Sequence, residues 1–202
     1  MSDIIQLFLG PYGVPVAVLL VFLAGIADGL GTRTVVLLVN RISPAAFILS
    51  LLASALLFLL SAVLWILGVW FFATEFFGMA DALPDFFIGM SLAYFPFLFS
   101  VLALLPLLGP PIRWVLRLLS FAIALWVLHM LGLALWQAML CAAFGELLLA
   151  GIGWLFGEPA THLRARAWAA LTGKPRPLRS DELPRVIPGF APASAPGREA
   201  GR

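Results

Sequence analysis

Long apolar runs separated by short polar breaks dominate this chain. Ile4 to Ala27, Ile42 to Thr74, Phe86 to Ile112 and Leu118 to Gly145 carry no Asp, Glu, Lys or Arg over 24, 33, 27 and 28 positions. About 20 helical residues cross the roughly 30 Å hydrocarbon core of a bilayer, so each run is long enough to span it. None alternates apolar and polar residues as a barrel strand would. The 40 residues from Leu118 to Gly157 hold a single charge, Glu146. As one helix they would extend about 60 Å, so the pattern predicts a hairpin of two crossings that turns near Gly132.

Punctuation sets the element ends. The cluster Gly10, Pro11, Tyr12, Gly13 breaks an interfacial stretch over residues 1–13. Pro15 suits the first turn of a helix from about Val14 to Ile26, where its missing N–H costs nothing. That run is short, so either a first crossing or a re-entrant segment fits it. Asp28 to Ser43 is mixed, and its apolar core Val35 to Val39 reads as an interfacial helix. A second crossing follows Ser43 and Pro44 to about Ala73. A third runs from about Phe86 to Leu108 and stops at Gly109, Pro110, Pro111. The fourth runs from about Arg113 to Met130 and the fifth from about Trp136 to Phe156. The predicted class is therefore all-α: a polytopic membrane bundle of about five helices over residues 14–157. Residues 158–172 read as a surface helix, and 173–202, with six prolines, read as a disordered tail.

Composition agrees with this class. Hydrophobic residues make up 63% and charged residues 11%, and the mean hydropathy is +1.08, whereas soluble domains carry about 25% charged residues. No basic n-region or cleavage motif accompanies the first apolar run, so it is expected to persist as part of the protein. The lone Cys141 excludes an intrachain disulfide and a CxxC site. Arg supplies eleven of the twelve basic residues, and Ala, Gly and Pro abound, which points to a GC-rich bacterial genome. With five crossings, the amino terminus, the loop Glu75 to Asp85 and the turn near Gly132 fall on one side without any Lys or Arg. All twelve basic residues fall on the other, which the positive-inside rule makes cytoplasmic. The expected location is a bacterial inner membrane with the carboxyl terminus in the cytoplasm.

Candidate chemistry is sparse. Glu146 lies deep in the fifth crossing, where an ionisable group is costly unless it has a partner or a task. It reads either as a hydrogen-bonded structural group or as a proton or cation site, with Ser120, Tyr94 or Ser100 as partners. Arg113 and Arg117, at i and i+4, present one helix face and could hold a lipid phosphate or simply anchor the helix. His129 near a helix end reads as a cap, or as the axial ligand of a tetrapyrrole. Gly25 with Gly29 and Gly153 with Gly157 have the GxxxG spacing of close helix contacts, within the bundle or in a homodimer. Trp65, Trp70, Trp114, Trp136 and Trp154 read as an interfacial belt. No catalytic motif, metal cluster, cofactor motif or nucleic-acid footprint is present in the sequence.

SPAAF opening a long apolar helix from Ser43, YFPFLFSVLALLPLLGPPIRW from Tyr94 and HMLGLALWQAML from His129 together resemble the Yip-domain family. That family is named for membrane proteins that interact with Ypt/Rab GTPases. The resemblance covers 43–155 and implies a compact five-helix bundle without enzymatic chemistry, acting in membrane organisation or as the scaffold of a partner membrane protein. Two other functions stay open: a small transporter or channel subunit working through Glu146, and an accessory subunit binding a tetrapyrrole through His129. Membrane lipids are the expected partners throughout.

Overall fold

The computed structural model describes residues 12–39, 43–104 and 109–172, with side chains described except at 32, 33, 35–39 and 156–172. The described residues form helices only: α1 (Gly13–Val39), α2 (Pro44–Phe77), α3 (Leu83–Ser91) continued by a 3₁₀ segment (Leu92–Leu104), α4 (Gly109–Met130) and α5 (Leu135–Thr172). Five helical stretches are long and apolar enough to cross a membrane: Gly13–Gly31, Pro44–Phe77, Leu83–Leu104, Gly109–Met130 and Leu135–Leu155. The polytopic bundle read from the sequence is the fold, and the first segment has spanning length.

Local chemistry explains most of the ends. Ser43 caps α2 by accepting from the Ala46 N–H at 3.3 Å, with Pro44 in the first turn. Gly78 ends α2 in the left-handed region at φ 67° and returns its N–H to the last carbonyls. Gly132, at φ 92°, closes α4 in the same way, and only a glycine adopts either conformation cheaply.

Four sequence boundaries are corrected. The helix over Val14 to Ile26 and the interfacial helix at Val35 to Val39 are one continuous α1, because α2 and the 3₁₀ segment support it beyond Ile26. The third crossing is not uniform. Pro96 has no N–H and its ring would collide with the carbonyl four residues earlier, and the chain from Leu92 to Leu104 winds as 3₁₀. Thirteen residues is long for that geometry, which seldom exceeds about four. Pro110 and Pro111 begin α4 instead of ending α3, since a first turn needs no donors from them. The surface helix at 158–172 is the continuation of α5, which runs 38 residues without a break. The amino-terminal interfacial stretch, apart from Tyr12 and Gly13, and the tail over 173–202 lie outside the described residues.

The helices close a ring in the order α1, the 3₁₀ segment, α4, α5, α2 and back to α1. Glycines set the closest approaches. A Cβ at Gly25 would lie 3.0 Å from the Ala55 Cα, and one at Gly31 would strike the Ser100 carbonyl oxygen. Gly25 and Gly29 thus join α1 to α2 within the chain. Gly153 has nothing around it within 4 Å.

The core fills the end of the ring near Gly78 and Gly132. Ile66, Val69, Ala73, Phe86, Met90, Leu128, Ala138, Cys141 and Ala142 are buried there, and most have no exposed surface. The Trp70 indole N–H donates to the Asp81 carbonyl at 3.2 Å and ties the α2–α3 loop over this core.

Candidate functional site

At the other end, nearer the arginines, the ring does not fill. The residues beneath that hollow follow from helical counting. Arg117 precedes Gly132 by 15 residues and Glu146 follows it by 14. The hairpin therefore sets a guanidinium and a carboxylate at equal depth, about 21 Å from the turn by helical rise. Trp65 lies 13 residues before Gly78, and Tyr94 lies 11 after Leu83. These four side chains line one cleft of about 470 Å³, together with Ser61, Ala62, Phe97, Ser120, Phe121 and neighbouring residues of α2, the 3₁₀ segment, α4 and α5. This size falls within the roughly 300–1,000 Å³ of ordinary ligand sites.

The rear wall is aromatic. Tyr94 stands edge-on to Phe58 at 5.7 Å and to Trp65 at 6.3 Å, and Phe58 meets Phe97 at 5.6 Å. These edge-to-face contacts join α2 to the 3₁₀ segment. The indole of Trp65 is held by Gly145, where a Cβ would come within 2.7 Å of Nε1. Trp65 is thereby corrected from a belt residue to a wall residue, only 5% exposed. Trp114, Trp136 and Trp154 are exposed, as a belt requires.

Polar groups in the cleft are under-used. The Trp65 Nε1–H is buried and has no hydrogen-bond partner among the described residues. The Ser61 hydroxyl donates to its own Leu57 carbonyl at 2.9 Å, leaving its lone pairs toward the cleft. Pro96 cannot donate, so the 3₁₀ pattern leaves the Ala93 carbonyl without its i+3 donor, and Ala93 lines the same space. No ion pair or hydrogen bond joins Glu146 to Arg117, or to any other described residue, although both face the cleft.

A smaller hollow of about 180 Å³ lies against Pro110, Arg113, Trp114 and Arg117 at the arginine end. It shares Trp114 and Arg117 with the cleft, so the two hollows adjoin. Beyond Leu149, α5 stands clear of its neighbours: Gly151 and Gly153 have nothing within 4 Å and Trp154 is 86% exposed.

Of the residues singled out in the sequence, Glu146, Ser120, Tyr94 and Arg117 come together here. Arg113 sits in the adjoining hollow. Ser100 does not join them: it is buried against α1 near Gly31, its hydroxyl also unpartnered. His129 is engaged at the end of α4, its ring Nδ1 at 3.0 Å from the Leu133 carbonyl. Sequence reasoning missed Trp65 as a wall and Arg117 as the group opposite Glu146. Equal residue counts on either side of Gly132 were the available signal for Arg117. Comparisons with protein-family models, curated proteins and solved structures found no match to this chain.

Proposed function

We propose that this protein is a non-enzymatic, transporter-type membrane protein whose cleft takes up a small polar or amphipathic molecule, with Glu146 as the group that binds its positive charge or proton. The observation that carries this reading is a cleft, with a second hollow adjoining it at the arginine end, that is lined by Arg117 and by a carboxylate with no ion pair or hydrogen bond among the described residues. Glu146 is exposed and lines the cleft, the placement of a ligand-facing group within a membrane span. The scaffolding function implied by the Yip-domain resemblance calls for a sealed bundle and gives no task to these charges. The positive-inside rule supports placing the arginine end, with the smaller hollow, in the cytoplasm of a bacterial cell.

Cysteine accessibility tests the reading. In a Cys141→Ala background, Ser120→Cys in the cleft should react with a small charged thiol reagent supplied from the arginine side. Leu119→Cys, on the adjacent and 49% exposed face that meets lipid, should not. A Ser120→Cys as inert as Leu119→Cys would return the protein to the scaffolding reading.

A further inference from the structure

Resting on the reading of the cleft as a binding site, we infer that its ligand is the head group of a zwitterionic phospholipid, phosphate on Arg113 and Arg117 and ammonium on Glu146. The two charge signs in these adjoining hollows are the first argument. Arg113 and Arg117 flank the small hollow one turn apart, about 6 Å by rise, and offer two guanidiniums to a single tetrahedral anion. Glu146 lines the adjoining cleft at the depth of Arg117, about one turn deeper than Arg113. An anionic head group such as a phosphoglycerol would satisfy the arginines and leave the carboxylate facing a net negative ligand. A simple cation would satisfy Glu146 and leave Arg117 unmatched. In a low-dielectric surround an unmatched charge is costly, and a phosphodiester joined to an ammonium matches both signs with one ligand.

The walls agree with the cationic end. Phe58, Trp65, Tyr94, Phe97 and Phe121 line the same cleft as Glu146, and aromatic walls attract ammonium and trimethylammonium groups. The Ser120 hydroxyl supplies a donor to an ester or phosphate oxygen, and Ser61, whose own hydrogen goes to the Leu57 carbonyl, can accept from the ammonium. The lateral surface agrees with the lipid tails. Leu118 on α4 is 64% exposed, and Leu147 and Leu155 on α5 are 71% and 64% exposed, so both helices offer apolar side chains to acyl chains. A lipid can place its head group inside while its acyl chains stay in the bilayer.

The test uses the full-length chain, purified, delipidated and offered equal amounts of phosphatidylethanolamine and phosphatidylglycerol, with retained lipid counted by native mass spectrometry. The wild type should prefer the ethanolamine lipid by about tenfold, the scale of one well-placed charge contact. Glu146→Gln should bring that ratio close to one while lipid is still retained, and Arg113→Gln with Arg117→Gln should weaken retention of both lipids. Glycerophosphoethanolamine, the same head group without acyl chains, should fail to displace the lipid at equal concentration; displacement would overturn the lipid assignment in favour of a free solute. Should Glu146→Gln fail to fold, the wild-type ratio still decides, since equal retention of the two lipids contradicts the inference. Lipid retained with a preference unchanged in Glu146→Gln would sink the head-group assignment alone. No lipid retained, together with an inert Ser120→Cys, would remove the binding cleft as well.

Discussion

The two ends of the ring are built from the same five helices and differ in what fills them. Toward Gly78 and Gly132 the interior is aliphatic and closed: Phe86, Met90, Ile66 and Leu128 leave no exposed surface, and the loop is tied by the Trp70 to Asp81 hydrogen bond. Toward the arginines the interior is walled with aromatic rings and holds Arg117, Glu146 and hydroxyls around open space. In a bilayer, helix association gains little from hydrophobicity, because lipid is as apolar as a leucine, so tight packing must hold the bundle together. The closed end supplies that packing. The open end can then keep polar groups unmatched among the described residues, which is what a binding cleft needs.

The largest effect expected from this contrast is at the closed end. Phe86→Ala should destabilise the protein in detergent by about 3 kcal/mol, the usual scale for removing a buried ring. Phe121→Ala, in the wall of the open end, should cost less than about 1 kcal/mol because its side chain already borders space. Equal losses in chemical unfolding curves would erase the distinction between the ends.

A smaller effect should appear where the two ends meet. Gly145→Ala places a methyl 2.7 Å from both Trp65 Nε1 and Val69 Cγ2. It should cost about 1–3 kcal/mol through overpacking and change Trp65 fluorescence as the indole is displaced. An unchanged emission spectrum at full stability would show that α5 does not rest on Trp65 as described.

The smallest effect on stability should come from the most conspicuous residue. Glu146→Leu removes a carboxyl with no bonded partner among the described residues, so the unfolding free energy should stay within about 0.5 kcal/mol of the wild type while binding in the cleft is lost. A loss above about 2 kcal/mol would make Glu146 a structural link and join the open end to the closed one in kind.

Much of this was legible in the sequence because the bilayer imposes a length and a polarity. Uncharged runs gave the crossings, Ser43 with Pro44 gave the start of α2, and the hairpin at Gly132 followed from the length available to Leu118 to Gly157. Glu146, Ser120 and Tyr94 could be grouped by depth, since rise per residue fixes depth without any knowledge of neighbours. The turn into 3₁₀ at Leu92 was not legible. Pro96 announces that the α pattern is interrupted, but a kink, a stop or a tighter winding would each relieve it, and the neighbouring helices select among them.

The sequence by itself thus determined the class, the crossings and the depth of each charge, all of which depend on one chain meeting one solvent. Tertiary structure alone decided which faces meet. Gly25 and Gly29 pack against α2, Trp65 became a wall instead of a belt, and Arg117 came to face the cleft of Glu146 without pairing to it. Those outcomes turn on the rotation of each helix about its own axis. Because apolar residues surround nearly the whole circumference of these helices, no polar stripe marks the lipid-facing side, and rotation is set only when small residues on one helix find bulky ones on another.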